Sequence, residues 1–258
     1  MTSSVASGAA PSRFQTFAAI PGRWLFRWRN LVFPVVFLAL LFVGRPMFPF
    51  GSPGADLWMD ALGIAIAALG QLVRTGVVGL AYVVRGGVDG KVHADELVTH
   101  GLFAHCRNPL YVGNLLVFLG LFTVMNSWPG WLVGWPAAIF TYVAIVSAEE
   151  MYLSRKFGAA YDEYRRRVPR FRIRWDGLGA TLRRHGFDGR RAIRKEYGQA
   201  FAWMFGIVAV MLRERFANGL GHEVREDAAT WSAVTGSLVA AYWVVRFLKK
   251  TGRLNANA

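Results

Sequence analysis

The sequence predicts an all-α fold, a polytopic transmembrane helix bundle of about six spans. Three observations carry this expectation. The 258 residues are 54% hydrophobic with a mean hydropathy of +0.29, too few polar residues to surface a soluble domain of this length. The apolar residues are gathered into long runs. Lys and Arg gather beside those runs, as they do in cytoplasmic loops of membrane proteins. The length fits one domain, or one domain with an appendage.

The formal net charge is +14. Its placement beside apolar runs excludes nucleic acid as the expected partner and favours anionic lipid headgroups, at about 1 kcal/mol per basic residue near the surface. A single cysteine, Cys106, rules out an intrachain disulfide and argues against a cysteine-based metal site. The first 22 residues are mostly small and polar, with no short apolar core before a cleavage site, so the first apolar run is expected to be an uncleaved anchor.

Run one is Leu31 to Val43, widened by Trp24, Leu25 and Phe26 before it and Phe48 and Phe50 after it. Run two, Leu57 to Val84, carries Asp60, Gln71 and Arg74 and exceeds the roughly 20 residues that span a bilayer, so it tilts or projects. Its Gly63, Ala67 and Gly70 share one helical face, where small residues allow close helix approach. Runs three (Leu110 to Val124) and four (Trp131 to Ala148) are separated only by Met125 to Gly130 and form a tight antiparallel hairpin. Run five, Ala200 to Leu212, is short but extendable at its start, and run six is Ala228 to Leu248.

Fourteen of the chain's 30 basic residues lie from Arg155 to Lys195, between runs four and five, which marks that loop as cytoplasmic. Counting outward places both termini inside as well, with Arg13, Arg23, Arg27 and Arg29 at one end and Lys249, Lys250 and Arg253 at the other. The outer loop, Arg213 to Asp227, balances three arginines against Glu214, Glu223, Glu226 and Asp227. Two segments therefore meet on the cytoplasmic side: Arg85 to Pro109 and Glu149 to Arg174.

In the first segment, Asn108 suits a helix N-cap and Pro109 the first turn. A helix N-terminus can hold a carboxylate or phosphate, and Arg107 adds a full charge; the plainer reading is a capped helix with an arginine at the membrane edge. In the second, Glu149 and Glu150 end an apolar run. Carboxylates at membrane depth are costly and usually functional. The pair suits ribose hydroxyls or an ammonium group, or else marks the membrane boundary beside Arg155. Leu153, Phe157, Tyr161, Tyr164 and Val168 follow at spacings of three or four, the apolar face of an amphipathic helix that packs on the first segment. His93, His100 and His105 do not share one helical face, so no metal site is expected from them; His100 and His105 are expected near lipid headgroups.

Together the segments carry a pattern: Leu97-Val98-Thr99, Gly101, Phe103, Arg107-Asn108-Pro109-Leu110-Tyr111-Val112-Gly113, then Glu149-Glu150-Met151-Tyr152-Leu153, Phe157-Gly158-Ala159-Ala160-Tyr161-Asp162-Glu163-Tyr164 and Val168-Pro169. In that order they resemble the isoprenylcysteine carboxyl methyltransferase and phospholipid methyltransferase superfamily of membrane enzymes, over roughly residues 57 to 172. Asn108 stands where that pattern usually has histidine, and Phe103 where it has tyrosine. The Asn-Pro form is similar to the phospholipid amine methyltransferases.

The resemblance implies a cytoplasmic site for S-adenosylmethionine near Glu96, Leu97, Val98, Phe103, Arg107, Asn108, Pro109, Leu110 and Tyr111. It implies that Glu149 closes the site, with Glu150 beside it, and that the acceptor, a lipid or lipidated molecule, enters sideways from the inner leaflet. In-line positioning supplies most of the gain in methyl transfer. An amine acceptor must also lose a proton, which Glu149 or Glu150 is placed to take; no metal is required. A prenylated cysteine, an ethanolamine headgroup and another lipid carboxylate all stay open as acceptors. The chain is expected to divide into a tail and first helix (1–56), a methyltransferase core that carries the resemblance (57–172), and, outside the resemblance, a basic linker with a C-terminal packing hairpin (173–258) that completes the bundle or makes a homodimer. Usage rich in alanine, glycine and arginine points to a bacterial inner membrane. Two rivals remain: a sterol-type lipid reductase using a nicotinamide cofactor, and a non-catalytic membrane protein of the same fold.

Overall fold

The computed structural model describes residues 13–80, 94–184 and 186–255, and every regular element among them is helical. The helices are α1 (Arg13–Val43), α2 (Pro53–Leu80), α3 (Pro109–Met125), α4 (Trp135–Phe157), α5 (Ala159–Arg167), α6 (Leu178–Arg184), α7 (Gly189–Ala217), α8 (Gly221–Glu226) and α9 (Ala228–Lys250). One turn of π-helix, Gly130–Gly134, leads into α4, and a 3₁₀ turn, Gly101–Ala104, precedes α3.

Each apolar run is helical over its described residues; the end of run two, 81–84, lies outside them. Four described stretches are long and apolar enough to cross a membrane: Thr16–Val43, Gly54–Leu80, Gly130–Phe157 and Ala228–Lys250. The other two runs are apolar helices of a different kind. With 17 residues, α3 reaches about 26 Å, short of a roughly 30 Å hydrocarbon layer. Only the middle of α7 is apolar, because Arg190 to Glu196 and Arg213 to Arg215 charge its ends.

The helices pair as α2 with α3 and α1 with α4, and α7 lies across α2 and α3 with α9 on its outer side. Small residues set the first pairing. A Cβ on Gly70 would lie 2.6 Å from the Gly113 carbonyl oxygen, and one on Gly120 would collide with that of Gly63, so the backbones touch. Gly22 brings α1 closer still to the Ala144 carbonyl of α4. The shared core joins Leu40 and Leu41 of α1, Ala67 of α2, Val117, Leu121 and Phe122 of α3, Ala138 of α4, and Ile207 and Val210 of α7. Outside it, Trp24, Leu31, Val35 and Phe42 on α1 and Trp243, Val244 and Phe247 on α9 are exposed. Exposed apolar surface on helices of spanning length faces lipid, and the protein is an integral membrane protein.

Candidate active site

The two motif segments fold against each other at one end of the bundle. The Arg107 N–H donates to the Pro169 carbonyl (2.9 Å), the Arg174 N–H to the His105 carbonyl (2.9 Å), and the Tyr164 hydroxyl to the Phe103 carbonyl (2.8 Å). Gly158, at φ +50, turns the chain sharply from α4 into α5. That turn lays Tyr161, Tyr164 and Val168 against Leu97, Leu153 and Phe157, so the amphipathic face is packing surface. Burial pushes the Tyr161 and Tyr164 hydroxyls well above their ordinary range, and both stay protonated.

Asn108 occupies the N-cap of α3, but its side chain caps nothing. The side-chain amide donates instead to Glu150 Oε1 (3.3 Å) and to the Arg170 carbonyl (3.1 Å), while the main-chain carbonyl of Asn108 accepts from the Tyr111 and Val112 N–H groups. His105 departs from its expected place near headgroups. It is buried, with Nδ1 2.8 Å from the Arg174 carbonyl and Nε2 2.8 Å from the Thr181 hydroxyl, so it pins α6 and the segment before it. His100 is exposed, and His93 lies outside the described residues.

The adjacent glutamates face different surroundings. Glu149 accepts from the Tyr111 hydroxyl. Glu150 is bracketed by Arg170 (3.0 Å) and Arg107 (3.5 Å) and joined by Asn108; Arg170 also donates to Ser147 (2.8 Å). Successive residues on an α-helix point about 100° apart, which separates the two carboxylates.

A cavity of about 940 Å³ opens here. Its lining includes Glu96, Leu97, Val98, Phe103, Arg107, Asn108, Leu110, Tyr111 and Glu149. Pro109 and Glu150 do not line it: Pro109 is buried in the first turn of α3, and Glu150 lies behind Asn108 among the arginines. Arg29, Asn30 and Phe33 of α1, Arg74 of α2, Asn114 of α3 and Tyr142 of α4 continue the wall. Phe33 stacks on Tyr142 at 5.0 Å, and Tyr111 meets Tyr142 at 5.5 Å.

The far wall is α7, through Lys195, Gln199, Trp203 and Gly206. A buried ion pair fixes it: Arg74 Nε lies 2.8 Å from Glu196, and Arg74 also donates to Asn114. Gln71 joins the network, donating to Glu196 (3.3 Å) and accepting from the Trp203 indole N–H (3.1 Å). No motif marks these α7 residues. The polar pair Gln71 and Arg74 inside an apolar run was the one sequence sign that something charged must meet α2.

The phospholipid methyltransferase family matches residues 58–160 of this chain. Over 73 residues it is 33% identical to a protein-S-isoprenylcysteine O-methyltransferase of Schizosaccharomyces pombe, covering 28% of this chain and 31% of that protein. The chain belongs to the membrane methyltransferase superfamily. The chain is also similar to the nickel-cobalt-cadmium resistance protein NccN of Alcaligenes xylosoxydans xylosoxydans, 32% identical over 164 residues, 63% of this chain and 70% of the relative. The cobalt-zinc-cadmium resistance protein CzcN of Cupriavidus metallidurans is 33% identical over 115 residues, 44% of this chain and half of that protein. No solved structure matches the chain significantly.

Proposed function

We propose that this membrane methyltransferase moves a methyl group from S-adenosylmethionine to a lipid or lipidated acceptor drawn from the inner leaflet. One observation carries the reading: a single cavity joins the Glu96–Tyr111 segment and Glu149 to aromatic and polar residues at membrane depth on α1 and α7. Drug-sized ligands occupy pockets of about 300–1,000 Å³, so this cavity is large enough for a cofactor beside part of an acceptor.

The lining fits the cofactor's chemistry. Arg107 and Arg29 offer positive charge to a carboxylate. Glu96 and Glu149 offer acceptors to an ammonium group or to ribose hydroxyls. The rings of Phe33, Tyr111 and Tyr142 line the cavity as an aromatic cluster that suits a cationic ligand. When bound, S-adenosylmethionine supplies an electrophilic methyl group on a positively charged sulfur. The chain's part is to align the acceptor and keep water out. A carboxylate has about four acceptor positions, so Tyr111 leaves Glu149 able to orient an acceptor or take a proton from an amine. Glu150 acts through its neighbours, holding Arg107 and Asn108 where they line the cavity.

In this reading the core at 57–172 does not work alone, because α1 and α7 supply walls; the regions 1–56 and 173–258 belong to one catalytic unit. The cavity end of the bundle faces the cytoplasm of a bacterial inner membrane, with both termini on that side.

The test is transfer of tritiated methyl from S-adenosylmethionine to a total lipid extract by the detergent-purified protein and by Glu149→Gln. Label in a lipid band with the wild type, reduced at least about tenfold in the variant, is the expected outcome. No label in any lipid, with no cofactor binding by calorimetry, defeats the proposal and returns the reductase and non-catalytic readings. The names of the two resistance-protein relatives carry a second reading, about physiology: that the reaction serves metal tolerance. A deletion strain that tolerates cobalt and cadmium as well as its parent removes it.

A further inference from the structure

We propose that Asp56, Asp60 and Glu214 form a binding site for a divalent cation at the end of the bundle remote from the cavity. Asp56 and Asp60 are one helical turn apart on α2, and Glu214 reaches them from the last turn of α7. One carboxylate oxygen from each lies within 4.8 Å of the other two. Hard divalent cations hold oxygens at about 2.0–2.6 Å, so two ligands of one ion stand up to roughly 5 Å apart. The set closes on an ion with little movement.

Burial separates this group from an ordinary acidic patch. Asp56, Asp60 and Glu214 are 8%, 6% and 2% exposed, and each leaves one buried oxygen without any hydrogen-bond partner. A buried acceptor with no donor is costly, and three at one point call for a shared positive partner. The cation facing them, Arg215, is bound to Glu223 at 2.9 Å and is about one-third exposed. With oxygen as the only donor type, the site takes an oxygen-preferring ion such as Mn²⁺, Mg²⁺ or Ca²⁺.

The site has a mechanical consequence. It joins α2 to α7 about 21 Å along α2 from Arg74, where the Arg74–Glu196 pair makes the other join. Cation binding would then fasten the α7 wall at both ends.

The test uses the full chain in detergent, stripped with EDTA and titrated with Mn²⁺, reading free ion by electron paramagnetic resonance and stability by thermal denaturation. Loss of the free Mn²⁺ signal at stoichiometric ratio and a raised Tm are expected for the wild type. Asp60→Asn and Glu214→Gln should each weaken binding by at least about tenfold while keeping a metal-free Tm no lower than that of the wild type. A wild type that leaves the Mn²⁺ signal undiminished overturns the proposal, because shared protons alone then satisfy the oxygens. Binding untouched by both substitutions overturns it too. Neither readout depends on methyl transfer.

Discussion

At the residue scale, the adjacent glutamates should separate cleanly in experiment. Glu150 sits between two guanidinium groups and an amide, so Glu150→Gln leaves Arg107 and Arg170 without their counter-charge. The expected result is a stability loss of about 1–3 kcal/mol, read as a lower Tm. Glu149 rests on one hydroxyl instead, so Tyr111→Phe should cost turnover of about tenfold to a hundredfold with little change in Tm. An equal Tm loss in both variants would contradict this division. Cys106 gives a pH test. Burial pushes its thiol from an ordinary 9.0 up to about 11. A folded-state value raised this way contributes stability below pH 9 that is lost as pH climbs from 9 to 11. Iodoacetamide should therefore spare the folded protein at pH 8 and modify it in denaturant; rapid modification of the folded chain would show the thiol to be open. The motif in the sequence named both glutamates, but spacing does not say which of two neighbours turns inward. Asn108 shows the same limit: the N-cap position was legible, while its bond to Glu150 depends on a helix 42 residues away.

At the scale of elements, the stripe of small residues on run two was readable because period and residue size alone place Gly63, Ala67 and Gly70 on one face. What the stripe packs against was not readable until Gly113 and Gly120 were seen across from it. Gly70→Val should push α3 away, since even a Cβ meets backbone 2.6 Å away and backbone cannot yield as a flexible side chain can. A loss of about 1–3 kcal/mol is expected, measured as a fall in Tm in detergent. The harder case is α7. In sequence it was a short apolar run with charged ends outside the family pattern, and it read as a packing hairpin. Its charged start exists to reach α2: Glu196 answers Arg74, and Asp188 caps the helix by accepting from the Arg191 N–H while its own N–H bonds the Gly79 carbonyl. Partners that distant in sequence leave no local mark. Because Trp203 lines the cavity and is tied to Gln71, Trp203→Ala should raise the KM for the lipid acceptor while leaving the cofactor Kd nearly unchanged. A weakened cofactor Kd with an unchanged acceptor KM would place α7 on the other side of the reaction.

At the scale of the whole molecule, the charge pattern and the fold make one argument about orientation. The ends of α4 and α2, the starts of α3 and α7, and all of α5 and α6 collect at the cavity end, as Arg107 to Pro169 and Asp188 to Gly79 demonstrate. The last helix returns there, since Lys249 lies over the Tyr197 ring at 5.0 Å and Arg194 donates to Asn255. Arg29 of α1 lines the cavity, which brings the first helix's early half to the same end. The fourteen basic residues from Arg155 to Lys195 lie at that end, whereas Asp56, Asp60, Glu214 and Glu226 mark the opposite one. Short α3 still reverses the chain, so its shortness does not alter the parity. Positive-inside bias is the ground for the proposed orientation, with the cavity toward the cytoplasm. Cysteines introduced at two exposed positions in a Cys106→Ser background decide the matter: Asp176→Cys at the cavity end and Glu226→Cys at the other. A membrane-impermeant maleimide should label Glu226→Cys in right-side-out spheroplasts and Asp176→Cys only in inverted vesicles. The reverse pattern would turn the cavity away from cytosolic S-adenosylmethionine and remove the supply on which the proposed reaction depends.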